Sequence, residues 1–289
     1  MLTREEFHKL TKGCLLLDGA TGSNLMKAGM PRGCCAEQWI LENPEPLVAL
    51  QRSYAQAGSD IIYAPTFQAQ PIALEKVGLD KECEKVNARL IALSRQAAPD
   101  ALIAGDITTL AAFTDSWDEG NFDLLVDNYR RQIRGLIDGG ADLLVGETLL
   151  YPQEAEAILA AAEMEGAGAV MYSFTMQSAG FLLSGADAGP VLRSLEEAGA
   201  TAVGFNCVAA DMMTPPLVSK LRRFVKGPVL CKPNAGNPII GDDGIAQYPM
   251  EADEFSGIVK ECAQMGAALL GGCCGTTPAH IKALKEALK

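Results

Sequence analysis

The chain has 289 residues, 48% of them hydrophobic, and a formal net charge of −12. This length fits two ordinary domains or one α/β barrel, and the hydrophobic fraction is ample for a large core. The negative charge argues against nucleic acid as a partner, and the absence of any run of about 18 apolar residues argues against a membrane span.

Eight short apolar runs recur along the chain and predict β-strands. Each run is almost continuously hydrophobic, which is typical of parallel strands that are buried on both faces. The predicted strands cover residues 14–20, 60–66, 102–106, 142–148, 169–174, 202–207, 228–234 and the run that begins at 269.

Helical patterns separate the predicted strands. The clearest cover residues 46–56, 83–97, 122–137, 152–164 and 253–265. Several of these helices end in a glycine and a small residue just before the next strand, which is a recurring helix-to-strand turn. Eight strand–helix units without a long polar linker predict an α/β fold, a single (β/α)8 TIM barrel that forms one domain over residues 1–289. The alternative is an open doubly wound sheet.

The eighth predicted strand ends in two adjacent cysteines, Cys273 and Cys274, which are flanked by glycines. Neighbouring side chains on a regular strand point to opposite faces, so the glycines are needed to turn both sulfurs the same way. Thr277 and Pro278 predict the N-cap and the first residue of a helix, whose N-terminus favours thiolates nearby. Cys207, at the end of the sixth predicted strand, offers a third sulfur.

A barrel has its active site where the carboxyl ends of the strands meet the following loops. The predicted ends carry Asp18, Thr66, Asp106, Glu147, Cys207, Asn234, Cys273 and Cys274. Because the sixth, seventh and eighth strands are neighbours, the three cysteines are predicted to lie close together. Three thiolates with an open coordination position are the arrangement of a catalytic zinc site. Such a site suits a substrate thiolate, and hence alkyl transfer to a thiol.

The other groups at the predicted mouth indicate what the substrate carries besides a thiol. Glu147 and Asp18 are predicted to hold an ammonium group, and four backbone amides are predicted to hold a carboxylate. These amides belong to Ala20, Thr21, Gly22 and Ser23. An amino acid with a thiol side chain satisfies all three predictions. The alternatives at the sulfurs are a strained vicinal disulfide and ordinary buried cysteines.

The remaining cysteines and the histidines are interpreted as structural. Nine cysteines without an export signal indicate a reducing cytoplasm, and His8 and His280 are too few for a histidine-rich metal site. Four cysteines within predicted strands or helices are interpreted as packing residues. They are Cys14, Cys83, Cys231 and Cys262. The loop pair at 34–35 has no third cysteine to match it. Asp106 is interpreted as a loop carboxylate whose hydrogen bonds are satisfied within the protein.

Five motifs resemble those of the zinc-dependent homocysteine S-methyltransferases, most of all the homocysteine-binding module of cobalamin-dependent methionine synthase. They are Asp-Gly-Ala-Thr-Gly-Ser at 18–23, Gly-Glu-Thr at 146–148, Phe-Asn-Cys at 205–207, Lys-Pro-Asn-Ala-Gly at 232–236 and Gly-Gly-Cys-Cys-Gly-Thr-Thr-Pro at 271–278. The resemblance implies a (β/α)8 barrel with Zn2+ on Cys207, Cys273 and Cys274. It also implies homocysteine as the acceptor, held by Glu147 and the 18–23 loop, and Asn234 as a fourth zinc ligand that homocysteine displaces.

The methyl donor is less well defined by these motifs. Thr21 and Ser23 stand where the family usually has methionine and threonine, and Ala-Pro-Thr-Phe at 64–67 replaces a Thr-Asn-Thr-Phe run. The resemblance to the corrinoid-using branch, in a chain without room for a corrinoid domain, implies a methylated corrinoid on a separate protein.

Two alternatives to the corrinoid donor remain open. One is a small donor such as S-methylmethionine, betaine or another sulfonium or ammonium compound. An aromatic cage for betaine would have to come from Tyr63, Phe67 and Tyr172. The other is a zinc-stabilised barrel that acts as a non-catalytic subunit.

Overall fold

The computed structural model describes residues 1–241 and 246–289. The strands in these residues are β1 Leu15–Leu16, β2 Ile61–Tyr63, β3 Leu102–Thr108, β4 Leu143–Leu149, β5 Val170–Phe174, β6 Ala202–Ala209, β7 Val229–Asn234, β8 Ile239–Ile240, β9 Ala246–Gln247 and β10 Ala267–Leu270. The α-helices are α1 Arg4–Leu10, α2 Gly22–Lys27, α3 Ala36–Glu42, α4 Pro44–Ala57, α5 Pro71–Leu74, α6 Cys83–Ala97, α7 Phe122–Asp138, α8 Pro152–Met164, α9 Ala188–Ala198, α10 Thr214–Leu221, α11 Ala252–Gln264 and α12 Pro278–Ala287.

All eight predicted strands are present and form one parallel sheet in the order β1-β10-β7-β6-β5-β4-β3-β2. The two edge strands meet through a parallel bridge between Leu17 and Ile61, where Asp60 N donates to Leu16 O at 2.7 Å. The sheet therefore nearly closes on itself with helices around it, which confirms the predicted (β/α)8 barrel. The antiparallel pair β8 and β9, in the loop after β7, was not predicted.

The helix boundaries follow the sequence pattern closely. Helices α6 and α8 begin and end at the predicted residues, whereas α4 begins at Pro44, because proline is well tolerated in the first turn. Gly58 and Gly266 have φ angles of 108° and 102°, which end α4 and α11 and turn the chain into the next strand. Pro278 begins α12 behind the N-cap Thr277, as predicted.

Side-chain alternation along the strands divides the barrel interior into an apolar and a polar part. The apolar part includes Leu17, Ile61, Ala104, Val145, Met171, Leu230 and Leu269. Two residues further along five of these strands, the inward positions are polar. We call these five side chains, together with Asp18, the polar layer. Its members are Asp18, Tyr63, Asp106, Glu147, Ser173 and Lys232, and all of them are buried. The polar layer lies at the mouth of the barrel, where the chemistry is expected.

Helix α1 covers the opposite end of the barrel and was not among the predicted helices. Phe7 is fully buried and packs in the interior apolar cluster. The segment before α1 is fixed at the amino ends of β4 and β5, because Leu2 N donates to Asp142 O and Ala169 N donates to Leu2 O, both at 2.7 Å. The N-terminal helix is therefore part of the barrel core.

Phe7→Ala is expected to lower the free energy of unfolding by about 3–5 kcal/mol, because it opens a cavity at the closed end of the barrel. Urea denaturation measures this effect. Leu10→Ala is the matched control: Leu10 lies in the same helix with 45% of its surface exposed. The control should change stability by no more than about 0.5 kcal/mol. Equal effects of the two substitutions would show that α1 does not close the barrel.

Two interpretations of single residues are corrected by the structure. Cys14 precedes β1 and is exposed, whereas Cys83, Cys231 and Cys262 are buried as predicted. Asp106 lies within β3 rather than in a loop, and its Oδ1 atom is buried without a hydrogen-bond partner among the described residues. In the part of the chain that the structure describes, no helix is both long and apolar enough to cross a membrane.

Candidate active site

Three cysteine sulfurs converge at the mouth of the barrel. The Sγ atoms of Cys207, Cys273 and Cys274 all lie within 4.8 Å of one another. Among the described residues, no other group of three or more cysteine, histidine or acidic side chains is arranged in this way. The structure thus brings together the three cysteines that the sequence singled out, and the loop pair at 34–35 has no such partners.

An irregularity in β6 positions Cys207. The β6–β7 register shifts between Asn206 and Ala209, and Cys207 has a φ angle of 57°, which is uncommon for a residue with a side chain. Bulges of this kind bend a strand and re-aim a side chain, and such backbone strain is often retained at functional sites. The bulge leaves Cys207 Sγ 4.0 Å from Cys274 Sγ.

The segment that carries Cys273 and Cys274 is fixed against β7. Cys273 N donates to Pro233 O at 2.7 Å, and Ala235 N donates to Cys274 O at 2.9 Å. Gly275 follows with a φ angle of 81°, and a Cβ atom there would lie 2.2 Å from the Cβ of Tyr248. Only glycine fits this turn, which confirms the predicted role of a glycine beside the cysteine pair.

The geometry of the sulfurs fits a tetrahedral metal ion. Zinc–sulfur bonds of about 2.3 Å at tetrahedral angles separate neighbouring sulfurs by about 3.8 Å. The separation of 4.0 Å between Cys207 and Cys274 is close to this value, and the third sulfur is within 4.8 Å of both. Three thiol ligands also match the preference of zinc for sulfur. The residues present therefore fit Zn2+.

The thiols share hydrogen bonds that make one of them acidic. Hydrogen bonds from Cys207 and Cys273, together with the Tyr248 hydroxyl, lower the pKa of Cys274 to about 3 although burial opposes the shift. Hydrogen bonds with Cys273 and Cys274, together with burial, raise the pKa of Cys207. The arrangement thus favours the thiolate form of Cys274, which is the form that binds metal. Tyr248 comes from the loop after β7 and was not predicted as a site residue, because no motif in the sequence contains it.

Asn206 ties the cysteine cluster to the end of β4. Its Nδ2 atom donates to Thr148 Oγ1 at 2.7 Å and to Cys273 Sγ at 3.7 Å, and its Oδ1 accepts from Thr148 N at 3.0 Å. Thr148 has a φ angle of 58°, at a second bulge in the β4–β5 pairing. Asn206 was not predicted as a site residue, although the Phe-Asn-Cys motif contains it.

Asn234 is the last residue of β7 and lies beside the cysteine cluster. Its Oδ1 atom accepts a hydrogen bond from Cys274 N at 3.0 Å. The side chain therefore holds the cysteine segment in place, at the position from which the sequence predicted a fourth metal ligand.

Glu147 and Asp18, the two carboxylates predicted to hold an ammonium group, both contact an ammonium group of the chain itself, that of Lys232. Lys232 Nζ is 3.0 Å from Glu147 Oε1, 3.5 Å from Asp18 Oδ1 and 4.5 Å from the centroid of the Tyr63 ring. Lys232 was not predicted as a site residue. The available signal was a lysine within an otherwise apolar predicted strand, where a charge is rare unless it is paired.

Burial and charge together shift the pKa values in the polar layer. Burial raises the pKa of Asp18 to about 7 and raises that of Glu147, while the Lys232 charge opposes both shifts. Burial lowers the pKa of Lys232, but the charges of Glu147 and Asp18 outweigh it and hold that pKa well above its usual value. Burial and the nearby Glu147 raise the pKa of Asp106 well above its usual value. Lys232 is therefore the cation that stabilises charge in this layer.

The loop that was predicted to bind a carboxylate lies next to the cysteine segment. Ala20 N donates to Thr276 Oγ1 at 3.1 Å, so this amide is already paired within the fold. Thr21 and Gly22 begin α2, whose first-turn amides have no partner within the helix. The Ser23 Oγ atom is buried without a hydrogen-bond partner among the described residues.

A family described as homocysteine S-methyltransferase matches residues 15–288 of the chain. The chain belongs to the homocysteine S-methyltransferase family. The match includes the three converging cysteines and every member of the polar layer. This membership agrees with the motif resemblance.

Relatives and solved structures agree with this assignment. The chain is similar to methionine synthase of Mycobacterium tuberculosis, with 30% identity over 96% of this chain and 25% of that protein. Methionine synthase of Mycobacterium leprae is 29% identical over 96% of this chain and 24% of that protein. The chain thus spans about a quarter of the length of these relatives.

The solved structures include both a family member and a more distant barrel. The metallated form of the Escherichia coli homocysteine methyltransferase MmuM has a TM-score of 0.83 and 25% identity, covering 98% of this chain and 99% of that one. The carboxyl transferase domain of Rhizobium etli pyruvate carboxylase shares the fold alone. It has a TM-score of 0.57 and 14% identity, covering 99% of this chain and 50% of that one.

Proposed function

We propose that residues 1–289 form one homocysteine-binding domain that transfers a methyl group to the thiol of L-homocysteine to give methionine. The observation that carries this proposal is the convergence of three cysteine sulfurs beside a buried layer of carboxylates. Homocysteine has a group for each part of this site. Its thiol would bind a metal ion held by the sulfurs, and its ammonium group would bind the carboxylates.

Cys207, Cys273 and Cys274 are the residues that would hold Zn2+. A zinc ion bound there supplies the positive charge that keeps an acceptor thiol deprotonated at neutral pH, while three sulfur ligands leave that thiol electron-rich. Asn206 orients Cys273 through its contact at 3.7 Å. Asn234 remains the proposed fourth ligand in the absence of substrate, and to bind metal its Oδ1 would have to release the Cys274 amide.

The remaining residues of the site are proposed to position the amino-acid part of homocysteine. Glu147 and Asp18 would accept hydrogen bonds from the substrate ammonium, and the Lys232 charge would favour the ionised form of both carboxylates. Thr21 and Gly22 amides with the Ser23 hydroxyl would donate to the substrate carboxylate. Fixing the acceptor at both ends lowers the entropy cost of bringing its sulfur to the donor methyl group.

A methylated corrinoid on a separate protein is the proposed donor. The thiolate would supply the electron pair of the new sulfur–carbon bond, and the corrinoid would leave with the electron pair of the broken cobalt–carbon bond. In support, large apolar side chains are exposed on the loops around the mouth. We call this surface the apolar rim. Its members are Trp117, Leu183, Met212, Met213, Ile239 and Ile240. Large exposed apolar surfaces are typical of protein-binding sites.

A small cationic donor, such as S-methylmethionine or betaine, is the second candidate. The arrangement of the aromatic rings argues against betaine as this donor. Tyr172, one of three predicted cage residues, packs in the apolar cluster between the strands and the helices, so it does not face the mouth. Tyr63 is already occupied by Lys232 at 4.5 Å. An aromatic cage for a quaternary ammonium needs several free ring faces.

A methyl-transfer assay with four donors tests the proposal. Zinc-loaded protein is given homocysteine with a methylated corrinoid protein, free methylcobalamin, S-methylmethionine or betaine, and methionine is quantified by mass spectrometry. We expect the fastest transfer from the corrinoid protein. Transfer from S-methylmethionine or betaine alone would reject the corrinoid donor, and no transfer from any donor would favour a non-catalytic barrel.

A pair of surface variants sharpens the donor assay. Ile240→Asp places a charge on the apolar rim and should slow transfer only from the protein-bound corrinoid, leaving free methylcobalamin unaffected. Met265→Asp is the control, because Met265 is also exposed but lies at the end of α11 that leads into the amino end of β10. Equal effects of both variants on the protein-bound donor would exclude docking at the apolar rim.

A further inference from the structure

The polar layer contains more carboxylates than cations. Asp18, Asp106 and Glu147 are three carboxyl groups, each at least nine-tenths buried. Lys232 is the one basic side chain of the polar layer. Lys232 contacts Glu147 at 3.0 Å and Asp18 at 3.5 Å, and neither of its ion pairs includes Asp106. Asp106 Oδ1 has no hydrogen-bond partner among the described residues. A buried polar atom without a partner is unfavourable, so such an atom calls for an explanation.

The position of Asp106 is fixed by its backbone rather than by its carboxylate. Asp106 N donates to Thr66 Oγ1 at 2.9 Å, while Thr66 Oγ1 and Gln132 Nε2 donate to Asp106 O at 2.8 and 3.2 Å. Successive side chains of β3 point alternately into the barrel and towards the helices. Ala104 points inward, so the Asp106 side chain, two residues further on, also points into the barrel. The fold thus holds an unpaired carboxylate oxygen in a set orientation at the mouth.

A second unpaired polar atom lies on the neighbouring strand. The Tyr63 hydroxyl is buried without a partner in the described part of the chain. Tyr63, Asp106 and Glu147 hold the inward polar positions of the adjacent strands β2, β3 and β4, and Lys232 contacts both Glu147 and the Tyr63 ring. These four groups therefore surround one region of the polar layer. This region offers unused hydrogen-bond acceptors, which suits a group that donates several hydrogen bonds, such as an ammonium.

We propose that Asp106 is a further substrate-positioning residue, which accepts a hydrogen bond from the ammonium group of the amino-acid acceptor. This inference rests on the proposed function and adds a residue to it. An ammonium group has three N–H donors, and Glu147 Oε1 is already used by Lys232. Asp106 Oδ1 and the Tyr63 hydroxyl supply unused acceptors beside it. The site therefore selects thiols that carry an ammonium group and disfavours thiols that carry only a carboxylate.

Calorimetry with two thiols tests this role. Zinc-loaded wild type and Asp106→Asn are titrated with L-homocysteine and with 4-sulfanylbutanoate, which has the same thiol and carboxylate but no amino group. We expect Asp106→Asn to weaken homocysteine binding by about 10- to 100-fold, the scale of a hydrogen bond between charged groups. Binding of 4-sulfanylbutanoate should change by less than about twofold, because that ligand has no group for Asp106 to recognise.

Controls separate recognition from structural damage. Asp123→Asn, at an exposed position in the first turn of α7, replaces the same side chain by the same amide and should change neither affinity. Zinc content and melting temperature should match the wild type for Asp106→Asn, because the carboxylate oxygen that changes has no partner to lose. Tyr63→Phe provides a second variant and should also reduce the preference for homocysteine.

The outcomes distinguish the inference from the function on which it rests. If both thiols bind and Asp106→Asn weakens them equally or not at all, Asp106 does not hold the ammonium group and the inference alone is overturned. If neither thiol binds the zinc-loaded wild type, the proposed acceptor is wrong and the inference falls with it. If only the affinity for homocysteine falls, Asp106 is a substrate-positioning residue.

Discussion

Replacing Cys273 and Cys274 together by alanine is expected to remove zinc from the protein. The wild type purified under reducing conditions should contain about one zinc ion per chain, and the double variant less than about a tenth of that, because one remaining thiolate cannot hold the ion. Cys207→Ala alone should also remove most of the metal, since it leaves two of the three converging sulfurs. Metal analysis by mass spectrometry gives these values.

The control for this experiment is Cys83→Ala. Cys83 is fully buried at the start of α6, where its Sγ donates to Ala69 O at 3.2 Å, and it lies outside the three-sulfur group. This variant should keep its zinc although it loses a packing contact. Full zinc retention in the Cys273→Ala/Cys274→Ala variant would disprove the metal site.

Lys232→Met is expected to lower the free energy of unfolding by about 3–5 kcal/mol at pH 8, because it leaves buried carboxylates without their cation. The Lys232 side chain is 4% exposed, and its partners Asp18 and Glu147 are 1% and 9% exposed, so solvent screens these pairs only weakly. Urea denaturation of the zinc-loaded protein measures the loss. The control is Lys282→Met on the exposed face of α12, which should have little effect.

The same variant should be less harmful in acid. Burial raises the pKa of Asp18 to about 7 in the folded protein, so this carboxyl contributes most stability when it is protonated and loses that contribution as the pH rises. Without Lys232 the folded-state pKa values of Asp18 and Glu147 should rise further, and at pH 5 both groups would be largely neutral. The difference between wild type and Lys232→Met should therefore be smaller at pH 5 than at pH 8. A difference that does not depend on pH would show that lost packing, rather than unpaired charge, causes the effect.

The eight strands and the cysteine site could be predicted because both depend on local signals. A strand buried on two faces is hydrophobic along its whole length, and a glycine after a helix marks the turn into the next strand, so each unit is recognisable alone. A parallel barrel then brings all carboxyl ends to one mouth. This rule is enough to place Cys207 beside Cys273 and Cys274 from the sequence alone.

Other features depended on contacts between distant parts of the chain. Lys232 and Glu147 are 85 positions apart, and their pairing follows from inward alternation on two strands of the closed barrel. The exact bounds of each strand decide which of its side chains point inward, and the sequence does not define these bounds. For this reason Asp106 was interpreted as a loop carboxylate, although it lies within β3, and Tyr172 as a cage residue, although it packs against the helices. A shift of one residue moves a side chain from the mouth to the helix layer.

The sequence by itself thus determined the strand–helix repeat, the barrel and the chemical identity of the sulfur site, because periodicity and glycine positions are properties of short segments. Only the tertiary structure decided that α1 closes the barrel with Phe7, that Lys232 contacts both Asp18 and Glu147, and that Asp106 Oδ1 is buried without a partner among the described residues. These results depend on which side chains share the barrel interior. That arrangement is set by strand register and closure, which no single segment encodes.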